Sequence, residues 1–193
     1  MAEIILASAS PRRRELLALA GVDFTVKVAD VEELIPENAS PDEVVKSLAL
    51  QKAQAVAQMN PDSIVIGSDT VVALGNTILG KPQDEENAVE MLTMLSGRAH
   101  TVYTGVAIIC GEKISNFCEA TQVVFHTLTE KEIRDYVATK EPNDKAGAYG
   151  IQGKGCVLVE KIVGDYFNVV GLPVNVLCNT LKEKFGIDIN TLR

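Results

Sequence analysis

Between Pro41 and Gln58 the apolar residues Val45, Leu48, Ala49, Ala53 and Val56 recur at helical spacing, while Ser47, Gln51, Gln54 and Gln58 fall on the opposite face. Ser40-Pro41-Asp42-Glu43 in front of them is a capping box with proline at the first helical position. The pattern predicts a helix over 41–58. Lys52 lies on its inward stripe, so its ammonium either snorkels out to water or meets an anion. From Ile64 to Val72 the pattern changes to β-branched residues with no helical period, as in a buried strand. Asp69 interrupts that run. A carboxylate there is costly unless it is paired, hydrogen-bonded or bound to a metal; the plain alternative is a Gly-Ser-Asp-Thr surface turn.

The remaining chain alternates in the same way. Ile4–Ala7 predicts a strand, Arg14–Ala20 a helix and Phe24–Val28 another strand, followed by an acidic loop around Glu32 and Glu33. Strand segments at 63–68 and 71–74 lead into a Gly75-Asn76 hairpin turn, with 77–79 as its second arm. A helix over 84–95 closes at Gly97, and strands at 102–110 and 122–126 follow, with a turn at Gly111-Glu112. Thr129-Glu130-Lys131-Glu132, a second capping box, opens a helix that ends before Pro142. The pattern then predicts a glycine-rich loop over 147–155, a hairpin over 157–170 and a last helix from Pro173 to Phe185, stopped by Gly186. Alternating strands and helices without linker or repeat indicate one α/β or α+β domain over 1–193.

Chemistry enters at Ser8-Ala9-Ser10-Pro11-Arg12-Arg13-Arg14, where a strand feeds a helix start. With Ser10 as N-cap and Pro11 in the first turn, free N–H groups point outward, as in sites that bind phosphate. Three arginines beside a positive helix terminus make sense around an anion, although a solvated basic face is the plain alternative. Lys and Arg number 18 against 26 Asp and Glu, a net charge of -8. Such a field disfavours nucleic acid and favours a small phosphate compound.

Four cysteines lack any C-x-x-C spacing, and neither His100 nor His126 stands beside one, so zinc and redox motifs have no support. Cys110, Cys156 and Cys178 read as reduced core residues among apolar neighbours. Any catalysis must then come from carboxylates, lysines, arginines and a metal. Gly75 to Lys81 has Walker A spacing, but Pro82 stands where a P-loop needs Ser or Thr, so that reading is rejected; Lys81 still offers a cation. In the glycine-rich loop, Gln152 is the side chain able to donate and accept together. Short apolar runs and an acidic start predict a cytoplasmic protein without membrane spans.

Taken together, Leu6 to Arg13, Gly67-Ser68-Asp69-Thr70-Val71, Gly80-Lys81-Pro82, Asp144 to Gly153 and Gly171-Leu172-Pro173 resemble the Maf family of nucleoside triphosphate pyrophosphatases over nearly the whole chain. The resemblance implies an elongated mixed-sheet α/β fold with two lobes around a deep cleft, similar to inosine triphosphate pyrophosphatases. It also implies a divalent metal, Mg²⁺ or Mn²⁺, and a homodimer. By the same resemblance Asp69 is the proton acceptor, and Ser8, Arg13, Glu33, Lys52 and Lys81 handle phosphates and metal, the metal falling to Asp69 and Glu33. Arg12, Thr70 and Gln152 match specificity positions of the dTTP/UTP subgroup, which implies hydrolysis of dTTP, UTP or modified pyrimidine nucleotides to monophosphate and pyrophosphate, a house-cleaning role. Two alternatives stand: a 7-methyl-GTP pyrophosphatase of the same family, and a non-enzymatic nucleotide-binding regulator of cell division.

Overall fold

The computed structural model describes residues 2–189. In chain order its regular elements are β1 (Ile4–Leu6), α1 (Pro11–Leu19), β2 (Thr25–Val26), α2 (Pro41–Gln58), β3 (Ile64–Leu74), β4 (Thr77–Leu79) and α3 (Glu85–Leu95). They continue as β5 (Ala99–Cys110), β6 (Lys113–Phe125), α4 (Glu130–Ala138), β7 (Val159–Val163), α5 (Tyr166–Val170) and α6 (Val174–Phe185). The strands form one seven-stranded sheet in the order β2-β1-β3-β5-β6-β7, with β4 paired to β3. It is a mixed sheet, because β1 runs parallel to β2 and β3 while the β3–β4 and β6–β7 pairs are antiparallel. The expected α/β class therefore holds.

Contacts divide the chain into two compact units, one made of the chain up to Asp69, Thr104–Glu119 and the chain from Gly171, the other of Thr70–Tyr103 and Ala120–Val170. In the first, α2 starts and stops where its sequence signals stand, and the Glu43 carboxylate accepts the Ser40 N–H at 2.9 Å as a capping box requires. Its apolar face joins Ile5, Ala7, Val65, Ala107 and Ile109 in a buried core. The helix can approach the strands this closely because Gly67 and Gly105 carry no side chain. A Cβ on Gly67 would run into the Ala49 carbonyl, and one on Gly105 into the Val45 carbonyl.

The second unit packs α3 and α4 over a core that includes Val72, Leu92, Phe125, Ile133 and Tyr149. Asp84 caps α3 by accepting the Asn87 N–H at 2.8 Å, and Thr129 caps α4 by accepting the Glu132 N–H at 3.3 Å. His100 is buried here, its Nε2 at 2.8 Å from the Tyr149 hydroxyl and its ring edge-on to Phe125. Burial pushes its pKa down to about 4.

The segments at 63–68 and 71–74 join in a single strand running through Asp69, the buried-strand reading rather than the surface turn. Two expectations are corrected. Residues 157–170 do not form a hairpin: Val159–Val163 pairs with β6, Gly164 turns at φ +130, and Asp165 accepts the Phe167 N–H at 2.8 Å to start the short helix α5. The β-branched residues near Val170 mimic a second strand, but Asn168 turns inward to donate to the Val102 carbonyl and the Thr121 hydroxyl, contacts that no local pattern encodes. Cys156 is exposed on a 3₁₀ turn over Lys154–Leu158, whereas Cys110 and Cys178 are half-buried; all four thiols are free.

Candidate active site

Side chains on a strand alternate, so Gly67 and Asp69 share one face of β3, the face that α2 covers. Close approach of α2 at Gly67 delivers Lys52 to Asp69, with Nζ at 2.5 Å from the carboxylate. The same ammonium meets Glu33 at 2.8 Å. Lys52 thus takes the anion-binding alternative, between two carboxylates. Its side chain is 23% exposed and that of Asp69 15%, against 46% for Glu33, which grades the site from interior to surface.

Glu33 lies in a stretch without regular structure, yet it is held. The Gln51 amide, one position before Lys52, accepts the Leu34 N–H at 2.9 Å and donates to the Leu34 carbonyl at 2.8 Å. Gln51 also donates to the Ser47 hydroxyl at 3.0 Å. Gln51, braced by Ser47 on the polar face of α2, therefore clamps the acidic loop beside Lys52. Sequence reasoning missed this, because glutamine facing water and glutamine pairing a backbone look alike in a periodic pattern.

Ser8 ends β1 and Arg13 sits in the first turn of α1, and the Arg13 guanidinium donates to the Ser8 hydroxyl at 3.2 Å and to the Gly171 carbonyl at 2.8 Å. Ser8 also accepts the Ser10 N–H at 3.3 Å. Ser10 caps α1 by its extended backbone, with Pro11 following, and the serine whose side chain binds a loop N–H is Ser8. Burial pulls the pKa of Arg13 down, while Asp69 and Glu33 oppose that shift and neighbouring Arg12 adds to it. Ser8, Arg12, Arg13, Glu33, Lys52 and Asp69 consequently form one electrostatic neighbourhood in the first unit. The anchoring role of Gly171 was visible only as part of a motif; the Ser68 hydroxyl reaches the same carbonyl at 3.4 Å.

In the second unit Thr70 is half-buried on β3 and Lys81 is exposed beyond β4, where the Gly80 carbonyl accepts the Gly147 N–H at 3.0 Å. Gln152 is exposed at the tip of the glycine-rich loop. The oxygens of Asp69 and Glu33 suit a hard divalent cation. No group of three His, Cys, Asp or Glu residues gathers among the described residues, and Mg²⁺ commonly needs only one or two carboxylates when phosphates complete its shell. The donor set fits Mg²⁺ or Mn²⁺.

The fold is similar to that of solved Ham1 proteins: the Staphylococcus aureus one matches with TM-score 0.55 at 15% identity over 93% of this chain and 98% of its own. The one from Coxiella burnetii matches with TM-score 0.51 at 16% identity, over 95% and 100%. A Ham1-like α/β fold carrying a carboxylate–lysine–carboxylate cluster is the class defined to this point. A family model for Maf-like proteins matches residues 3–184, and the chain belongs to that family. It is similar to proteins named dTTP/UTP pyrophosphatase from Bacillus cereus (strain AH820) and Bacillus thuringiensis subsp. konkukian (strain 97-27), each 58% identical over 189 residues and covering 98% of both chains. No helix among the described residues is long and apolar enough to cross a membrane.

Proposed function

We propose that this protein hydrolyses dTTP and UTP, and modified forms of them, to the nucleoside monophosphate and pyrophosphate. The observation that carries the reading is the Asp69–Lys52–Glu33 cluster beside Arg13, in a chain 58% identical to proteins of that name. Water attacks the α-phosphorus, Asp69 takes its proton, and the bond from the α-phosphorus to the bridging oxygen breaks with its electron pair leaving on pyrophosphate. Asp69 suits this role because it is largely shielded from water, paired with Lys52 and carried on a long strand that fixes its direction.

Negative charge grows on the leaving pyrophosphate, and fixed cations lower that barrier most where water is scarce. Arg13, Lys52 and Lys81 take this role, with Ser8 and the start of α1 orienting a phosphate. Asp69 and Glu33 would hold Mg²⁺ or Mn²⁺, which when bound supplies further neutralisation of phosphate oxygens. Base choice falls to Gln152, with Arg12 and Thr70 as the other two specificity residues. Uracil and thymine present an O4 acceptor and an N3–H donor that one amide can meet, whereas cytosine reverses both.

A substrate panel tests the reading. With Mg²⁺, UTP and dTTP should yield pyrophosphate and monophosphate, with CTP slower and 7-methyl-GTP slower still. Stepwise release of orthophosphate, or 7-methyl-GTP as the best substrate, would refute it.

A further inference from the structure

The stretch that presents Gln152 has almost no regular structure of its own: residues 146–155 contain short 3₁₀ turns and no strand pairing. One side chain from outside it accepts what the ladder of a sheet would otherwise accept. The Glu141 carboxylate receives the Lys154 N–H at 2.8 Å and the Gly155 N–H at 3.0 Å, and the Tyr136 hydroxyl at 2.9 Å. That hydroxyl in turn accepts the Gly150 N–H at 3.0 Å. Glu141 and Tyr136 together hold Gly150 on one side of Gln152 and Lys154-Gly155 on the other. Lys145 braces the arrangement by donating to the Glu141 carbonyl at 2.7 Å.

The glycines leave room for it. A Cβ on Gly153 would strike the Glu141 carboxylate, and one on Gly150 would lie 2.5 Å from the Lys145 stem. Burial disfavours charge on Glu141, but the Gly155 and Lys154 donors, the Tyr136 hydroxyl and Lys145 outweigh it and hold its pKa below the ordinary value. An ionised carboxylate spent on three donors, with nothing left for catalysis, is a fixture.

We infer that Glu141, relayed by Tyr136, is the positioning residue that fixes the Gln152 loop and thereby sets discrimination between uracil and cytosine nucleotides. The inference rests on the proposed pyrimidine pyrophosphatase activity. Glu141→Gln places an amide donor against backbone donors and disturbs the clasp while keeping its volume. Tyr136→Phe, a milder change, removes only the bridge to Gly150.

The experiment measures kcat and KM for UTP and CTP in the wild type, Glu141→Gln, Tyr136→Phe, Gln152→Ala and the Glu141→Gln/Gln152→Ala double variant. Glu141→Gln should cut the UTP-to-CTP ratio of kcat/KM by about tenfold, mainly through KM for UTP, with Tyr136→Phe shifting it in the same direction. In the Gln152→Ala background the further change in the ratio should vanish, because Glu141 acts through Gln152. Hydrogen exchange at the Lys154 and Gly155 amides should quicken in Glu141→Gln. An unchanged ratio in both single variants, or an equal drop with and without Gln152, would overturn the inference while leaving the activity intact. A wild type that releases no pyrophosphate from either nucleotide would overturn the activity and the inference together.

Discussion

Lys52 sits at 2.5 Å from Asp69 and 2.8 Å from Glu33, so removing any one of the three changes the charge that the other two feel. Asp69→Asn removes the proposed proton acceptor and leaves Lys52 paired with Glu33. Turnover should fall by about 10²–10⁴-fold, while the melting temperature stays within a few degrees because no charge is orphaned. Steady-state rates and a thermal melt on one preparation check both halves; near-normal turnover would make Asp69 structural. Lys52→Met keeps the apolar stem and deletes the cation, bringing two carboxylates face to face. Here kcat/KM for UTP should collapse; a variant with wild-type kcat/KM would show that the ammonium does not act on phosphate.

At the scale of elements, the decisive contact is between α2 and β3. Gly67→Ala forces a methyl into the Ala49 carbonyl, so α2 must shift, at a cost of about 1–3 kcal/mol. Because Lys52 rides on α2, turnover should drop with the melting temperature. Thr129→Ala, by contrast, removes the α4 cap and should cost about 1 kcal/mol with turnover unchanged. Equal effects of the two changes on turnover would break the link between α2 spacing and catalysis. Much of this level was legible in the sequence: α2 begins at Pro41 and ends at Gln58 as its capping box and stripe predict, and Asp69 lies in a buried strand. Lys52 meets Asp69 and Glu33, and Arg13 meets Ser8. What was hidden depends on partners far along the chain. The inward turn of Asn168, the clamp of Gln51 on Leu34 and the three donors gathered by Glu141 leave no periodic trace.

For the molecule as a whole, acid offers a test that needs no substrate. His100 is buried with its pKa lowered to about 4, against an ordinary value of 6.5 in the unfolded chain. Between those values the unfolded state binds more protons, so this residue's contribution is present above pH 6.5 and fades as pH falls toward 4. The sequence has two histidines, and one of the two ring signals in an NMR titration should keep its neutral position down to about pH 5. Titration of both rings near pH 6.5 would contradict the burial of His100. Chelation is the other test. Since the Lys52 ammonium already sits against both carboxylates, the two acids have a cationic partner without any metal. EDTA should therefore stop pyrophosphate release and leave the melting temperature where it was; a fall of several degrees would make the ion structural. On this arrangement the lysine is a resident counter-ion for the two acids, and the proposed divalent cation would add its charge only when the nucleotide is bound. Magnesium starvation would then idle the enzyme without thinning its folded population, and resupply would restore turnover without new synthesis.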